Sequence, residues 1–141
     1  MLRYLALAGG VTLIDDSYNA NPVSVRAALD DLAATAEHSG HVRRVAVLGD
    51  MLELGARERE FHADIARHVN DTGVDVLITV GPLAATMADG FRSEVHSVVD
   101  ASAAVELLPE LLAPGDVVLV KASRGVGLEL VCRRLAAVPA R

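Results

Sequence analysis

Short, continuous apolar runs recur along this chain, and each opens into a polar loop or turn followed by a helical pattern. Thr12-Leu13-Ile14, Val45-Ala46-Val47-Leu48 and Val117-Val118-Leu119-Val120 are of this kind. Runs of that length without polar alternation read as strands buried on both faces, as in a parallel sheet. The segments between them carry apolar residues at helical spacing. Strand and helix therefore alternate. That order predicts a Rossmann-like, doubly wound α/β fold with about six strands, mostly parallel, and helices on both faces.

Residues 2–8 form an extra strand in this reading, and Gly9-Gly10 turns it back as an antiparallel edge hairpin. The first parallel strand is 11–15. A helix follows over 23–37, burying Val25, Ala28, Leu29, Leu32 and Ala36, with Pro22 in its first turn and Gly40 suited to a left-handed cap. The second strand is 43–48, followed by a helix over 56–71 that Thr72-Gly73 stops. The third strand is 74–80, with a short helix over 83–90. The fourth strand is 94–99, and Asp100 caps a helix over 101–112. The fifth parallel strand is 117–120, and the last helix is 126–138. The 141 residues fit one domain, without repeats or a linker.

Composition narrows the function classes. The aromatic fraction is 3%, so the core is built from Ala, Val, Leu and Ile. A net charge of −6 argues against general nucleic-acid binding, which needs a basic face. The single cysteine, Cys132, excludes an internal disulfide and a Cys-rich zinc site, and reads as a buried, inert thiol. No apolar run approaches the ~20 residues of a membrane helix, and the start is too short for a signal peptide. These features point to a cytoplasmic protein without membrane partners.

The chemistry concentrates in three loops, 15–22, 49–55 and 121–125, each at the carboxyl end of a parallel strand. Doubly wound folds gather such ends on one edge, where ligands bind. The loops supply Asp15, Asp16, Asp50, Ser123, Asn19, Asn21, Lys121 and Arg124. Such a set suits an anionic or zwitterionic small ligand together with a nucleotide. Arg124 can grip a carboxylate or phosphate bidentately, while Lys121 acts as a point charge. Of 13 basic residues, only Lys121 is lysine. The adjacent carboxylates of Asp15 and Asp16 repel, so they need a cation, a donor or water nearby. There is no Walker-type phosphate loop, no G-x-G-x-x-G after the first strand and no serine elbow. His38, His41, His68 and His96 read as solvated. His62 stands apart, near the start of the helix after the second loop.

Ile14-Asp15-Asp16-Ser17-Tyr18-Asn19-Ala20-Asn21-Pro22 closely resembles the signature of MurF-type Mur ligases, the UDP-N-acetylmuramoyl-tripeptide–D-alanyl-D-alanine ligases of peptidoglycan synthesis. Residues 47–55 followed by His62 resemble a second motif of that family. Lys121-Ala122-Ser123-Arg124-Gly125 with Leu128-Glu129 resembles a third, in which the second position is usually Gly. The resemblance implies the C-terminal domain alone, without the UDP-sugar-binding domain or the central domain that carries the phosphate loop. It implies that ATP and magnesium are bound mainly by that central domain, that no metal site or catalytic residue lies in these residues, and that the isolated chain is inactive. It places Asp16 on the ATP ribose, with Asp15 as the alternative. Tyr18, Asn19 and Asn21 fall near the nucleotide. Ser123 and Arg124 hold D-alanyl-D-alanine or the peptide end of the UDP-linked tripeptide, with Gly49 and Asp50 beside them. Lys121 either serves the site or pairs with an aspartate.

Two other classes compete. A phosphoacceptor receiver also has an acidic pair after its first strand, and Asp50 and Lys121 superficially fit. However, Asp50 follows the second strand rather than the third, and no Pro follows Lys121. The third class is a non-catalytic interaction module, which would self-associate through exposed apolar surface.

Overall fold

Alternation along each strand decides which layer a side chain enters. In the parallel strands, Ile14, Ala46, Leu48, Leu77 and Leu119 point to one face, and Leu13, Val45, Val47, Ile78 and Val118 to the other. Both faces are apolar, so both must be covered, and the chain covers them with helices. The computed structural model describes residues 3–7, 9–40 and 42–137. Its strands are β1 (Arg3–Ala6), β2 (Thr12–Asp16), β3 (Arg44–Gly49), β4 (Val76–Val80), β5 (Glu94–Val98) and β6 (Val117–Lys121). Its helices are α1 (Pro22–His38), α2 (Glu58–Asp71), α3 (Ala101–Leu111) and α4 (Glu129–Ala136).

The six strands form one sheet in the order β1-β2-β6-β3-β4-β5. β1 pairs antiparallel with β2, and the other pairings are parallel. This is the mixed, doubly wound sheet with an antiparallel edge that the sequence predicts. α1, α2 and a 3-10 turn over Ala84–Gly90 cover one face, and α3 and α4 cover the other. The buried side chains are mainly Ala, Val, Leu and Ile, as the shortage of aromatics requires.

Local chemistry explains the element ends. α1 starts at Pro22 behind an Asn21 capping box, in which Asn21 and Ser24 bond each other's backbone N–H groups. Asp100 caps α3 by accepting from the Ala103 N–H. Some boundaries differ from expectation. The third parallel strand begins at Val76 rather than 74, because the Asp75 carboxylate takes the Arg44 N–H that a ladder partner would otherwise take. The helix expected from 56 begins at Glu58, after a 3-10 turn over Gly55–Arg57. The segment at 83–90 is 3-10 rather than α. The last helix begins at Glu129 instead of 126, because Gly127 takes φ 80° and breaks the turn before it. Leu2, Ala8, His41 and Val138 lie outside the described residues.

Candidate functional site

β6 lies between β2 and β3, yet its chain leaves toward α4 on one face, while β2 and β3 lead to α1 and α2 on the other. That reversal opens crevices beside the carboxyl end of β6. The register levels the strand ends there: Asp16 is paired with Lys121, and Lys121 with Leu48. The three polar loops therefore meet at one edge.

Ser123 ties them together. Its Oγ accepts the Leu52 N–H at 2.8 Å and donates to the Ala20 carbonyl at 3.3 Å, while its N–H bonds the Asp50 carbonyl at 3.2 Å. Lys121 is buried, and its Nζ donates to Asp16 Oδ2 at 2.7 Å and to the Asn19 carbonyl at 2.8 Å. The Asn19 side chain accepts from the Ala20 N–H, and Asn21 is occupied as the α1 cap. Arg124 lies over the exposed Tyr18 ring, 5.0 Å from its centroid, so the first and third loops also touch through a cation–π contact.

The second loop is held from several sides. Asp50 is 7% exposed, and its Oδ1 accepts the Ala84 N–H. Gly81, at φ 106°, leaves room for that carboxylate. Asp50 is thus buried and held through one oxygen, and it follows the second parallel strand rather than the third, which does not suit a phosphoacceptor. Gly49 packs against Ala122, Val126 and Leu128. His62 is fully buried; its Nε2 accepts the Met51 N–H, and its Nδ1 donates to the Glu58 carbonyl. Among the described residues, no group of three or more His, Cys, Asp or Glu side chains could hold a metal ion.

Asp15 faces the α4 side, where Arg3, Asp15, Ser17, Tyr18 and Glu129 line a cleft of about 490 Å³. Its Oδ2 accepts from Arg3 at 2.6 Å, and its Oδ1 accepts the Ser17 hydroxyl at 2.7 Å and the Ser17 N–H at 3.2 Å. Burial works to raise the Asp15 carboxyl, but the bonds from Arg3 and Ser17 outweigh it and hold it below its usual 3.8. Burial, then the Asp15 charge, pushes the Cys132 thiol far up, which keeps it protonated. Arg3 is a site neighbour that the motif reading missed. The hairpin register Arg3↔Asp15 sets opposite charges side by side and is the signal that marks it. Because the folded carboxyl is lowered, its stabilisation is complete above 3.8 and fades as pH falls through the lower folded value. Asp15→Asn is therefore expected to lower stability at neutral pH, with the gap to the parent closing in strong acid. Urea melts across the acid range measure this, and a pH-independent gap would contradict it.

The family model for the glutamate ligase domain of Mur ligases matches residues 2–124. The chain belongs to the Mur ligase family. It is 41% identical, over 86% of its length, to a UDP-N-acetylmuramoyl-tripeptide–D-alanyl-D-alanine ligase of Mycobacterium leprae, and 32% identical, over 98%, to the enzyme of that name from Bacillus subtilis. It spans 27% and 31% of the lengths of these relatives. The crystal structure of a MurF ligase from Thermotoga maritima in complex with ADP superposes with a TM-score of 0.75 at 28% identity, covering 96% of this chain and 29% of that one.

Within this Mur ligase domain, Ala122 stands where the resemblance leads to an expected Gly. The substitution does not strain the backbone: among the described residues, Glu53 is the one non-glycine with positive φ. The Ala122 methyl instead sits buried against Gly49.

Proposed function

We propose that this chain is the C-terminal domain of an ATP-dependent ligase that adds D-alanyl-D-alanine to UDP-N-acetylmuramoyl-tripeptide in peptidoglycan synthesis. The observation that carries the reading is the meeting of the three motif loops beside β6, joined by Ser123. Relatives of that name, and a MurF neighbour with bound ADP, support it. In the ligation, ATP phosphorylates the tripeptide carboxylate, the dipeptide amine bonds to the acyl carbon, and phosphate leaves. This chain has no phosphate loop, so its part is to bind and orient. A central domain would meet most of the nucleotide phosphates and magnesium.

Asp16 is the better ribose ligand of the adjacent pair. Both Asp15 oxygens are occupied, whereas Asp16 Oδ1 has no partner among the described residues. Tyr18 offers an exposed ring beside the nucleotide, and Asn19 and Asn21 hold the loop that presents it. Arg124 has an exposed guanidinium for the dipeptide carboxylate, and Ser123 sets its position. Gly49 and Asp50 shape the wall beside them. Tyr18, Val23 and Leu52 are exposed at this edge, as a surface awaiting neighbouring domains would be. No helix among the described residues is long and apolar enough to cross a membrane, which is compatible with a cytoplasmic enzyme acting on soluble substrates.

Titration of the isotope-labelled chain tests this. ATP–magnesium is expected to shift amides from Asp15 to Asn21, and D-alanyl-D-alanine those near Ser123 and Arg124, without turnover. Saturable shifts confined to the opposite edge of the sheet, or ligation by the chain alone, would overturn the reading.

A further inference from the structure

The β2–β6 register sets Asp16 beside Lys121 with both side chains on one face. Lys121 is 2% exposed, and a buried ammonium persists only when it is paired and bonded. Its two bonds reach different parts of the chain: Asp16 ends β2, and Asn19 lies within the loop that follows. We propose that Lys121 is a positioning residue rather than a ligand contact. Its ammonium fixes the Asp16 carboxylate through Oδ2 and pins the loop through the Asn19 carbonyl. Oδ1 is left to accept from the vicinal hydroxyls of a ligand.

This deepens, and rests on, the reading of Asp16 as the ribose ligand. Two of its three N–H donors are spent on Asp16 and Asn19, and at 2% exposure the ammonium lies below the surface that a ligand phosphate or carboxylate would meet, whereas the Asp16 side chain is 16% exposed. A compact point charge suits one carboxylate oxygen and one carbonyl at nearly equal distances. The broad, planar guanidinium does not, which accounts for lysine here in a chain that otherwise uses arginine.

A double-mutant cycle over Lys121→Met and Asp16→Asn tests the proposal. The readouts are ADP–magnesium affinity, the Asp16 carboxylate carbon resonance on adding ADP, and amide exchange at Ser17, Asn19 and Ala20. Lys121→Met is expected to weaken ADP binding on the order of tenfold and to have no further effect in the Asp16→Asn background. It is also expected to abolish the ADP-induced shift of the Asp16 resonance. Loop exchange should accelerate while that of Leu119 and Ala46 stays slow, and Lys121→Arg should not restore it. Equal losses of affinity in both backgrounds would assign Lys121 to the ligand and overturn the proposal. Unchanged loop exchange in Lys121→Met would also overturn it, whether or not ADP binds. Failure of the parent chain to bind ADP would count against the ribose reading alone, leaving the exchange data to decide Lys121. The double variant, which removes both charges together, keeps the comparison open if Lys121→Met folds poorly.

Discussion

Gly49→Ala is expected to destabilise this domain by about 3 kcal/mol, and Ala122→Gly in the same chain to recover about 2 kcal/mol of that loss. A β-carbon at residue 49 would stand 2.5 Å from the Ala122 β-carbon, 3.0 Å from Val126 Cγ1 and 3.3 Å from Leu128 Cδ1. Carbon atoms pack at about 3.5–4.0 Å, so all three contacts are too close. Val126 and Leu128 can turn, but the Ala122 methyl cannot, because it is fixed to a backbone held at the end of β6. Replacing Ala122 by Gly removes that atom. The exchange moves the one methyl the space admits from the residue after β6 to the last residue of β3. Ala122→Gly alone should cost about 1 kcal/mol, through backbone entropy and the lost contact. Urea melts of the four proteins measure the coupling. Additive effects would show that Gly49 is needed for another reason. The spacing also bears on function, since it sets how closely the second and third loops approach.

The architecture was legible because its signals are local and redundant. Apolar runs such as Val45 to Leu48 exclude a solvent-facing sheet, and helical spacing from Val25 to Ala36 fixes the buried face of α1. Asn21-Pro22 marks the start of α1, and Gly9-Gly10 marks the edge hairpin. Of the boundaries that shifted, the start of β4 depends on a contact distant in sequence. The Asp75 carboxylate caps the Arg44 N–H across 31 positions, and no window around residue 74 contains that partner. The site was legible as three motifs, but not as a division of labour. Composition and spacing do not tell Asp15 from Asp16, and the resemblance prefers Asp16 with Asp15 as the alternative. The structure separates them because successive residues of a strand point to opposite faces, so Asp15 meets Arg3 and Ser17 while Asp16 meets Lys121. Asp50 likewise reads as an open loop carboxylate until the fold buries it and brings the Ala84 N–H to its Oδ1.

His62→Ala is expected to cost about 3–4 kcal/mol, the other large effect in the molecule. The ring is wholly buried between α2 and the second loop. A backbone N–H can only donate, so Nε2 must accept from Met51 at 3.1 Å, and the ring proton must sit on Nδ1, 2.7 Å from the Glu58 carbonyl. Alanine removes both bonds and leaves a void. Leucine refills most of the volume but still orphans the Met51 N–H, so His62→Leu should cost about 2 kcal/mol. Glutamine can offer an oxygen to Met51 and an amide N–H to Glu58, and should retain most of the stability. The loop is expected to respond more sharply than the domain. Met51 lies between Asp50 and Leu52, whose bonds to Ala84 and Ser123 depend on the same backbone path. Amide exchange at Met51 should therefore accelerate at least tenfold in His62→Leu, while exchange in the centre of β3 changes only with global stability. Nitrogen shifts of the parent imidazole should report a proton on Nδ1. If His62→Leu matches the parent in urea and Met51 stays protected, the hydrogen bond is not what holds the loop. Shape alone would then account for the burial of His62.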